Sequence, residues 1–154
     1  MASFVPNGMK RELLAGAFVF GTTAMGAMLV TGYDGLEDPD HEFVSDVTGT
    51  AADELAGTGY ARITSGAAFT GETVTKNDTD NRADVSMDKI TFLSLAADNA
   101  TPSHCILYDN TTGADGTRRI FAVLDLSTNP APTGNNYEIQ FDGVDGNGNI
   151  IEAS

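Results

Sequence analysis

Short apolar runs, separated by clusters of turn-forming residues, constrain the fold of this chain more than any other sequence feature. From Asp53 onward the gaps between the apolar runs are rich in Gly, Asn, Asp, Thr and Pro. Alternation of apolar and polar residues within such runs is typical of half-buried β-strands. Turn signals recur roughly every ten residues, which is the spacing of antiparallel all-β domains.

The alternation predicts a specific set of strands. Upstream of Asp53 it predicts a pair, Ala17–Phe20 and Ala24–Thr31. The later predicted strands are Gly59–Thr64, Ala67–Thr75, Ala83–Phe92 with a bulge or bend near Asp88, His104–Tyr108, Ile120–Leu126, Tyr137–Phe141 and Asn149–Glu152. No helical pattern is long enough for a βαβ unit. The chain is therefore expected to be all-β, an antiparallel β-sandwich or β-barrel of about 7–9 short strands.

Residues 1–16 are expected to form a short arm and helix in front of a single β-domain at 17–154. The arm, residues 1–6, ends at Pro6. Asn7 is predicted to cap a helix over Gly8–Ala15, with Leu13 and Leu14 facing inward, and Gly16 is predicted to end it. A segment this short cannot bury large apolar residues unaided. The candidate interface residues are Phe4, Val5, Met9, Leu13 and Leu14.

The apolar stretch 13–31 is long enough to raise the alternative of a membrane span or a signal peptide. Gly and Thr residues break it into short pieces, and the acidic loop Gly32–Glu42 follows directly. We therefore interpret it as strands and expect no membrane association. Phe43, Val44 and Val47, after the loop, predict a short helix or strand.

Charge and cysteine content exclude some classes of function. The chain carries 22 acidic and 8 basic residues, a formal net charge of −14. Such a charge repels nucleic acid, which proteins bind mainly through Lys and Arg. Cys105 is the single cysteine, so an intrachain disulfide is excluded. Its neighbour His104 points to the opposite face of a strand, so we expect Cys105 to be a buried apolar residue.

The residues that carry chemistry form no recognisable catalytic pattern. The chain has two histidines, one cysteine, no nucleophile elbow and no phosphate-binding loop. The segment Asp142–Glu152 departs from a calcium loop, because Ile150 stands where glycine is required. The acidic loop could offer oxygen ligands to a divalent ion through Asp34, Glu37, Asp38, Asp40, His41 and Glu42. We interpret it as a solvated loop, and expect no catalytic, cofactor-binding or metal-binding residue and no enzyme activity.

The order of segments along nearly the whole chain resembles a family of small virion structural proteins of tailed bacteriophages. The matching pieces are the Lys-Arg-Glu-Leu-Leu helix at 10–14, the strand 24–31, Gly32-Tyr33 with the acidic loop, the segment 41–47, the segment 57–60, Thr73-Val74-Thr75, Asn81-Arg82-Ala83, the segment 106–109, the strand 120–126 and the segment 137–142. The stretch 16–21 (GAFVFG) is more apolar than is usual in that family.

The resemblance implies an all-β virion component without catalytic chemistry or a cofactor. The first role it implies is that of a capsid decoration (cement) protein. Such a protein binds the major capsid protein on the outer surface of the virion, as a homotrimer, and stabilises the head. A tail, neck or fibre component, or a host-surface binding module, is the alternative.

Overall fold

The computed structural model describes residues 4–18, 24–49, 51–64, 69, 73–78, 82–87, 89–140 and 149–153. Within these residues the chain forms two short helices and nine strands. In chain order these are α1 Asn7–Ala15, β1 Met25–Thr31, α2 Val44–Thr48, β2 Asp53–Glu54, β3 Thr73–Asn77, β4 Arg82–Ser86, β5 Lys89–Phe92, β6 His104–Asp109, β7 Ile120–Asp125, β8 Tyr137–Gln140 and β9 Asn149–Ala153. The expected predominance of strands is confirmed.

A four-stranded antiparallel sheet, here called the central sheet, has the order β2-β1-β6-β7. Its inner pair, β1 and β6, is joined over six residue pairs from Met25–Asp109 to Val30–His104. Both strands are buried along almost their whole length. Their nearly continuous apolar sequences match this burial, since a strand covered on both faces needs no polar side.

Two apolar layers cover the central sheet. On one face, Met28 and Ile106 pack with Tyr33 of the acidic loop and with Val44 of α2. On the other face, Leu29 and Leu107 belong to a larger cluster. That cluster also contains Val85, Met87, Ile90, Phe92, Tyr137 and Ile139, from β4, β5, β8 and the residue that follows β4.

The remaining strands form two smaller antiparallel sheets, β3-β4-β9 and β5-β8. The stretch Ala83–Phe92, predicted as one strand with a bend near Asp88, is divided into β4 and β5, which belong to different sheets. Asp88 and the predicted turn Asp142–Gly148 lie outside the described residues. The described sheets of two to four strands do not close into a barrel.

Both edges of the central sheet are covered by short pieces of chain. At the β7 edge, the backbone N–H of Phe4 donates to Val123 and that of Val123 donates to Phe4, each at 2.9 Å. Phe43 forms a further bridge with Arg119. At the other edge, β2 pairs with the end of β1, and Ile63 forms a separate bridge with Ala27 of β1. Covered edges do not offer unpaired backbone groups to other chains.

The prediction of a strand over Gly59–Thr64 is wrong. Ile63 alone pairs with the central sheet. Side-chain bonds hold the rest of this segment instead, because the Tyr60 hydroxyl and the Arg62 guanidinium both donate to Glu54. The first strand of the predicted pair Ala17–Phe20 and Ala24–Thr31 is also wrong where it is described, since Ala17 and Phe18 are not in a strand.

Helix α1 differs from its prediction in two details. Pro6, extended at φ −59° and ψ 152°, is the N-cap, and Asn7 is the first helical residue. The Asn7 amide donates to Asp40 and is not used as a cap. Leu14 is 91% exposed, because Gly8 and Met9 form the buried face. Gly16 ends the helix in the left-handed conformation, as predicted.

The helices of the described residues are short: α1 has nine residues and α2 has five. None of them is long and apolar enough to cross a membrane.

The close packing of Gly26 against Tyr108 gives a test of the central sheet. A Cβ atom added at Gly26 would lie 2.5 Å from two ring atoms of Tyr108, which is fully buried and cannot move into solvent. We expect Gly26→Ala to lower the free energy of unfolding by about 1–3 kcal/mol, as overpacking does elsewhere. Urea denaturation measures it. Gly113→Ala is the control, since no atom lies within 4 Å of its added Cβ. Equal stability of the two variants would contradict the described packing.

Candidate functional site

The stretch Phe4–Ala15, here called the N-terminal segment, lies against the body of the protein. Its backbone pairs with β7 through Phe4, and the Asn7 N–H donates to the carbonyl of Pro39 at 2.8 Å. The Asn7 side-chain amide donates to Asp40 at 2.8 Å. Gly8 packs so closely on Glu42 that a Cβ atom there would lie 2.7 Å from the Glu42 side chain. The acidic loop is therefore the platform on which α1 rests.

An ionic network joins α1, the acidic loop and the residue before β7. Arg119 lies 3.1 Å from Glu42 and 3.4 Å from Glu12, and Arg11 lies 3.4 Å from Glu42. All four side chains are partly exposed, so each pair contributes little free energy by itself. Their shared geometry fixes the orientation of α1 on the loop.

The five candidate interface residues fall into three groups. Met9 is 1% exposed and belongs to the core. Phe4, Val5 and Leu13 are partly buried and pack against the core clusters. Leu14 alone is almost fully exposed. Contact with a partner through these residues stays a prediction, and in this conformation Leu14 is the one most accessible to a partner.

The interior of the acidic loop is organised around Tyr33. Its ring is fully buried, and its hydroxyl lies 2.8 Å from Nδ1 of His41. Burial raises the pKa of Tyr33 to about 12, so the hydroxyl keeps its proton at neutral pH. The ring also contacts His104 edge-on, at 5.2 Å between centroids. Both histidines of the chain thus pack against one tyrosine.

His104, the first residue of β6, approaches the carboxylates of the acidic loop. Its side chain is 2% exposed, and its Nε2 lies 3.4 Å from Oε1 of Glu37, itself 1% exposed. Ligand atoms of His104, Glu37 and Asp34 all lie within 4.8 Å of one another. Asp34 is exposed and forms the solvent side of this cluster.

The charges of this cluster are set by its surroundings. Burial lowers the pKa of His104, which favours the neutral ring at pH 7. Burial alone would raise the pKa of Glu37, but backbone hydrogen bonds from Glu37 and Gly35 lower it below the ordinary value. These surroundings therefore favour a neutral His104 ring beside an ionised Glu37 carboxylate.

Asp34 and Glu37 are among the possible oxygen ligands that the sequence offers in the acidic loop, which we interpreted as solvated, and His104 is not. The imidazole within the loop, His41, lies against the Tyr33 hydroxyl instead. His104 reaches the loop because it pairs with Val30 near the end of β1, from which the loop begins. Only the strand register carries that information. The prediction for Cys105 is confirmed: it is fully buried in the apolar cluster on the opposite face, and burial raises the pKa of its thiol.

A second polar cluster surrounds Arg62. Its guanidinium donates to Glu54 at 2.7 and 2.6 Å and to Asp115 at 2.6 and 2.8 Å. Arg118 adds a bond to Asp115 at 2.9 Å. Both guanidiniums lie over the ring of Tyr108, at 6.0 and 5.3 Å from its centroid. Because its charges pair with one another, this cluster joins loops and offers no free acid or base.

A shallow groove lies where β1, α2 and β2 come together. It is open to solvent and has a volume of about 280 Å³. Its lining residues are Thr31, Gly32, Thr48, Gly49, Ala51, Ala52 and Asp53. Asp53 is the one ionisable group among them, so the groove offers no pair of groups for acid–base catalysis.

Comparison of this chain with protein-family models, with curated proteins and with solved structures finds no match. The resemblance to phage virion proteins therefore depends on the order of the sequence pieces alone.

The Arg62 cluster predicts how stability depends on pH. Hydrogen bonds from Arg62, and further bonds from Arg118, lower the pKa of Asp115 below its ordinary value of 3.8. As the pH falls, the unfolded chain binds the proton first, so the contribution of Asp115 is complete well above 3.8 and is lost as the pH falls through the folded-state pKa.

We therefore expect Asp115→Asn to lower the free energy of unfolding by about 1–2 kcal/mol at pH 7, and the deficit to shrink in acid. Urea unfolding at a series of pH values from neutral to acid measures it. Asp98→Asn is the control, because Asp98 is exposed and forms no ion pair within the described residues. A deficit that does not change with pH would contradict this assignment.

Proposed function

We propose that this chain is a non-enzymatic virion structural protein of a tailed bacteriophage, a capsid decoration protein. In this role it binds the outer surface of the major capsid protein lattice and stabilises the DNA-filled head. The observation that carries the proposal is the N-terminal segment, which lies against an acidic β-body and presents Leu14 to solvent.

The fold that suits this role is an antiparallel sandwich formed by one domain at 17–154. The larger apolar cluster supports it, because side chains of β4, β5 and β8 pack there with those of β1 and β6. A body with a core on both faces of its central sheet provides a rigid support for a binding segment. Rigid supports reduce the conformational entropy that is lost on binding.

The charge distribution suits an outward-facing protein. A net charge of −14 opposes binding to packaged DNA, and on the outer surface it keeps virions apart. The long apolar residue at the end of α1 differs from this acidic background. We infer that the face carrying Leu14 is directed toward the capsid and that most of the acidic surface is directed toward solvent.

Binding to a lattice adds the free energies of many modest contacts. At roughly 25 cal/mol per Å² of apolar surface, a contact of a few hundred Å² contributes several kcal/mol before the cost of association. A homotrimer binds three such contacts at once, and its second and third contacts form at a high effective concentration. The summed contacts must be lost before neighbouring capsid subunits can separate.

The exposed side chain of Leu14 gives the sharpest test of the binding face. We expect Leu14→Asp to weaken binding to heads that lack this protein by at least about tenfold, since burying a leucine is worth about 1.5–3 kcal/mol. Sedimentation of the protein with such heads measures binding. Leu93→Asp is the matched control, because Leu93 is 70% exposed at a turn distant in sequence from α1. Equal binding of the two variants would refute a contact through Leu14.

The proposed role is tested on particles with and without this protein. We expect particles without the protein to release DNA at a lower temperature than complete particles. When the salt is diluted, they should also release DNA while more salt remains. Complete particles should contain hundreds of copies of the protein. Survival of the stripped particles together with reduced adsorption to the host would favour the host-binding alternative. A copy number that fits one ring of subunits per particle would favour a neck or tail component.

A further inference from the structure

We propose that Asp34, Glu37 and His104 bind a divalent transition-metal ion of the Zn²⁺ class. The ion would lie between the acidic loop and the start of β6, with Asp34 on its solvent side. This site does not depend on the proposed virion role.

The hydrogen bonds of Ser103 determine which nitrogen of His104 carries the proton. The Ser103 Oγ accepts a hydrogen bond from the N–H of Tyr33 at 3.3 Å and donates one to the carbonyl of Val30 at 3.3 Å. The hydroxyl oxygen can then accept one more hydrogen bond, and Nδ1 of His104 lies 3.1 Å from it. A serine hydroxyl has one donor and two acceptor positions, so with its proton directed at Val30 the Ser103 hydroxyl accepts a hydrogen bond from Nδ1.

A neutral ring that is protonated at Nδ1 has a lone pair at Nε2. That lone pair points at the carboxylate of Glu37, whose Oε1 is 3.4 Å away. Two buried acceptors that face each other without a proton between them are unfavourable. A cation between the two atoms converts the repulsion into two ligand bonds.

The distances suit such an ion. Zn²⁺ binds nitrogen and carboxylate oxygen at about 2.0–2.2 Å, so two of its ligands in tetrahedral geometry lie about 3.4 Å apart. The separation of Nε2 from Oε1 has this value, and the Asp34 carboxylate lies within 4.8 Å of both ligands. A small rotation of the exposed Asp34 side chain completes three ligands and leaves a fourth position for water.

The surroundings of the site favour a cation that accepts nitrogen. Imidazole together with carboxylates suits Zn²⁺ and its transition-metal neighbours, whereas Ca²⁺ and Mg²⁺ prefer oxygen alone. Asp125 lies opposite His104 in the pairing of β6 with β7 and adds negative charge beside the ligands. The hydrogen bond at Nδ1 orients the ring in the way that partners of metal-bound histidines do.

Binding of the ion would connect the acidic loop to the central sheet. The loop holds α1 through Asn7 and Arg11, which contact Asp40 and Glu42. An ion at the base of the loop therefore stabilises the platform of the N-terminal segment. Because the ion binds the folded state, it also raises the unfolding temperature.

The test uses the full chain after treatment with EDTA, with Zn²⁺ and Co²⁺ as the probes. We expect calorimetry to show one Zn²⁺ per chain, an unfolding temperature raised by several degrees, and visible absorption bands from bound Co²⁺. Mg²⁺ and Ca²⁺ at the same concentrations should give none of these effects.

Asp34→Asn is the decisive variant, because Asp34 is exposed and its replacement should not disturb folding. We expect it to weaken Zn²⁺ binding by at least about tenfold. Asp98→Asn, which removes the same charge from another exposed loop, should leave binding unchanged. The absence of saturable Zn²⁺ binding at millimolar concentration would overturn the proposal. Equal weakening by the two variants would also overturn it, because it would show diffuse attraction to an acidic surface.

Discussion

The antiparallel pairing of β1 with β6 is the interaction on which the rest of this structure depends. Six residue pairs join two strands that are buried on both faces, so their polar backbone groups must be satisfied almost entirely within the sheet. The same register fixes what lies on each face. It places Leu29 and Cys105 in the larger apolar cluster, and Met28 and Ile106 in the smaller one. A shift by one residue would exchange the two sets.

The segments that cover the edges of the central sheet are also the segments that carry its polar clusters. The residues that cover β7, Phe4 and Phe43, adjoin α1 and the acidic loop respectively. At the β1 edge, Ile63 lies beside Arg62, whose ionic bonds join β2 to the loop after β6. A short, irregular segment forms few backbone hydrogen bonds with the edge strand, so side-chain bonds must hold it in place. The charged clusters at these positions therefore stabilise the covering segments.

The sequence predicted the buried strands well and the irregular segments poorly, for a physical reason. His104–Tyr108 and Ile120–Leu126 are apolar runs between turn signals, and their burial as strands follows from composition and length. The alternation over Gly59–Thr64 is just as regular, yet Ile63 alone pairs with the central sheet, and Arg62 is held by side-chain bonds to Glu54 and Asp115. The approach of His104 to Glu37 was likewise unpredictable, because it depends on a register between strands that are distant in sequence.

Packing and hydrogen bonds of Tyr33 offset the repulsion between the acidic side chains of the loop. Like charges in a short loop repel one another, and a loop without internal partners would gain conformational entropy by opening. Here the buried ring of Tyr33 anchors the loop in the smaller apolar cluster, and its hydroxyl holds His41. The N–H of Tyr33 is held by Ser103, the residue that also orients His104. One serine beside the β1–β6 pair thus couples the position of the loop to the tautomer of the histidine beneath it. Any group that binds between His104 and Glu37 acts directly on the platform of α1.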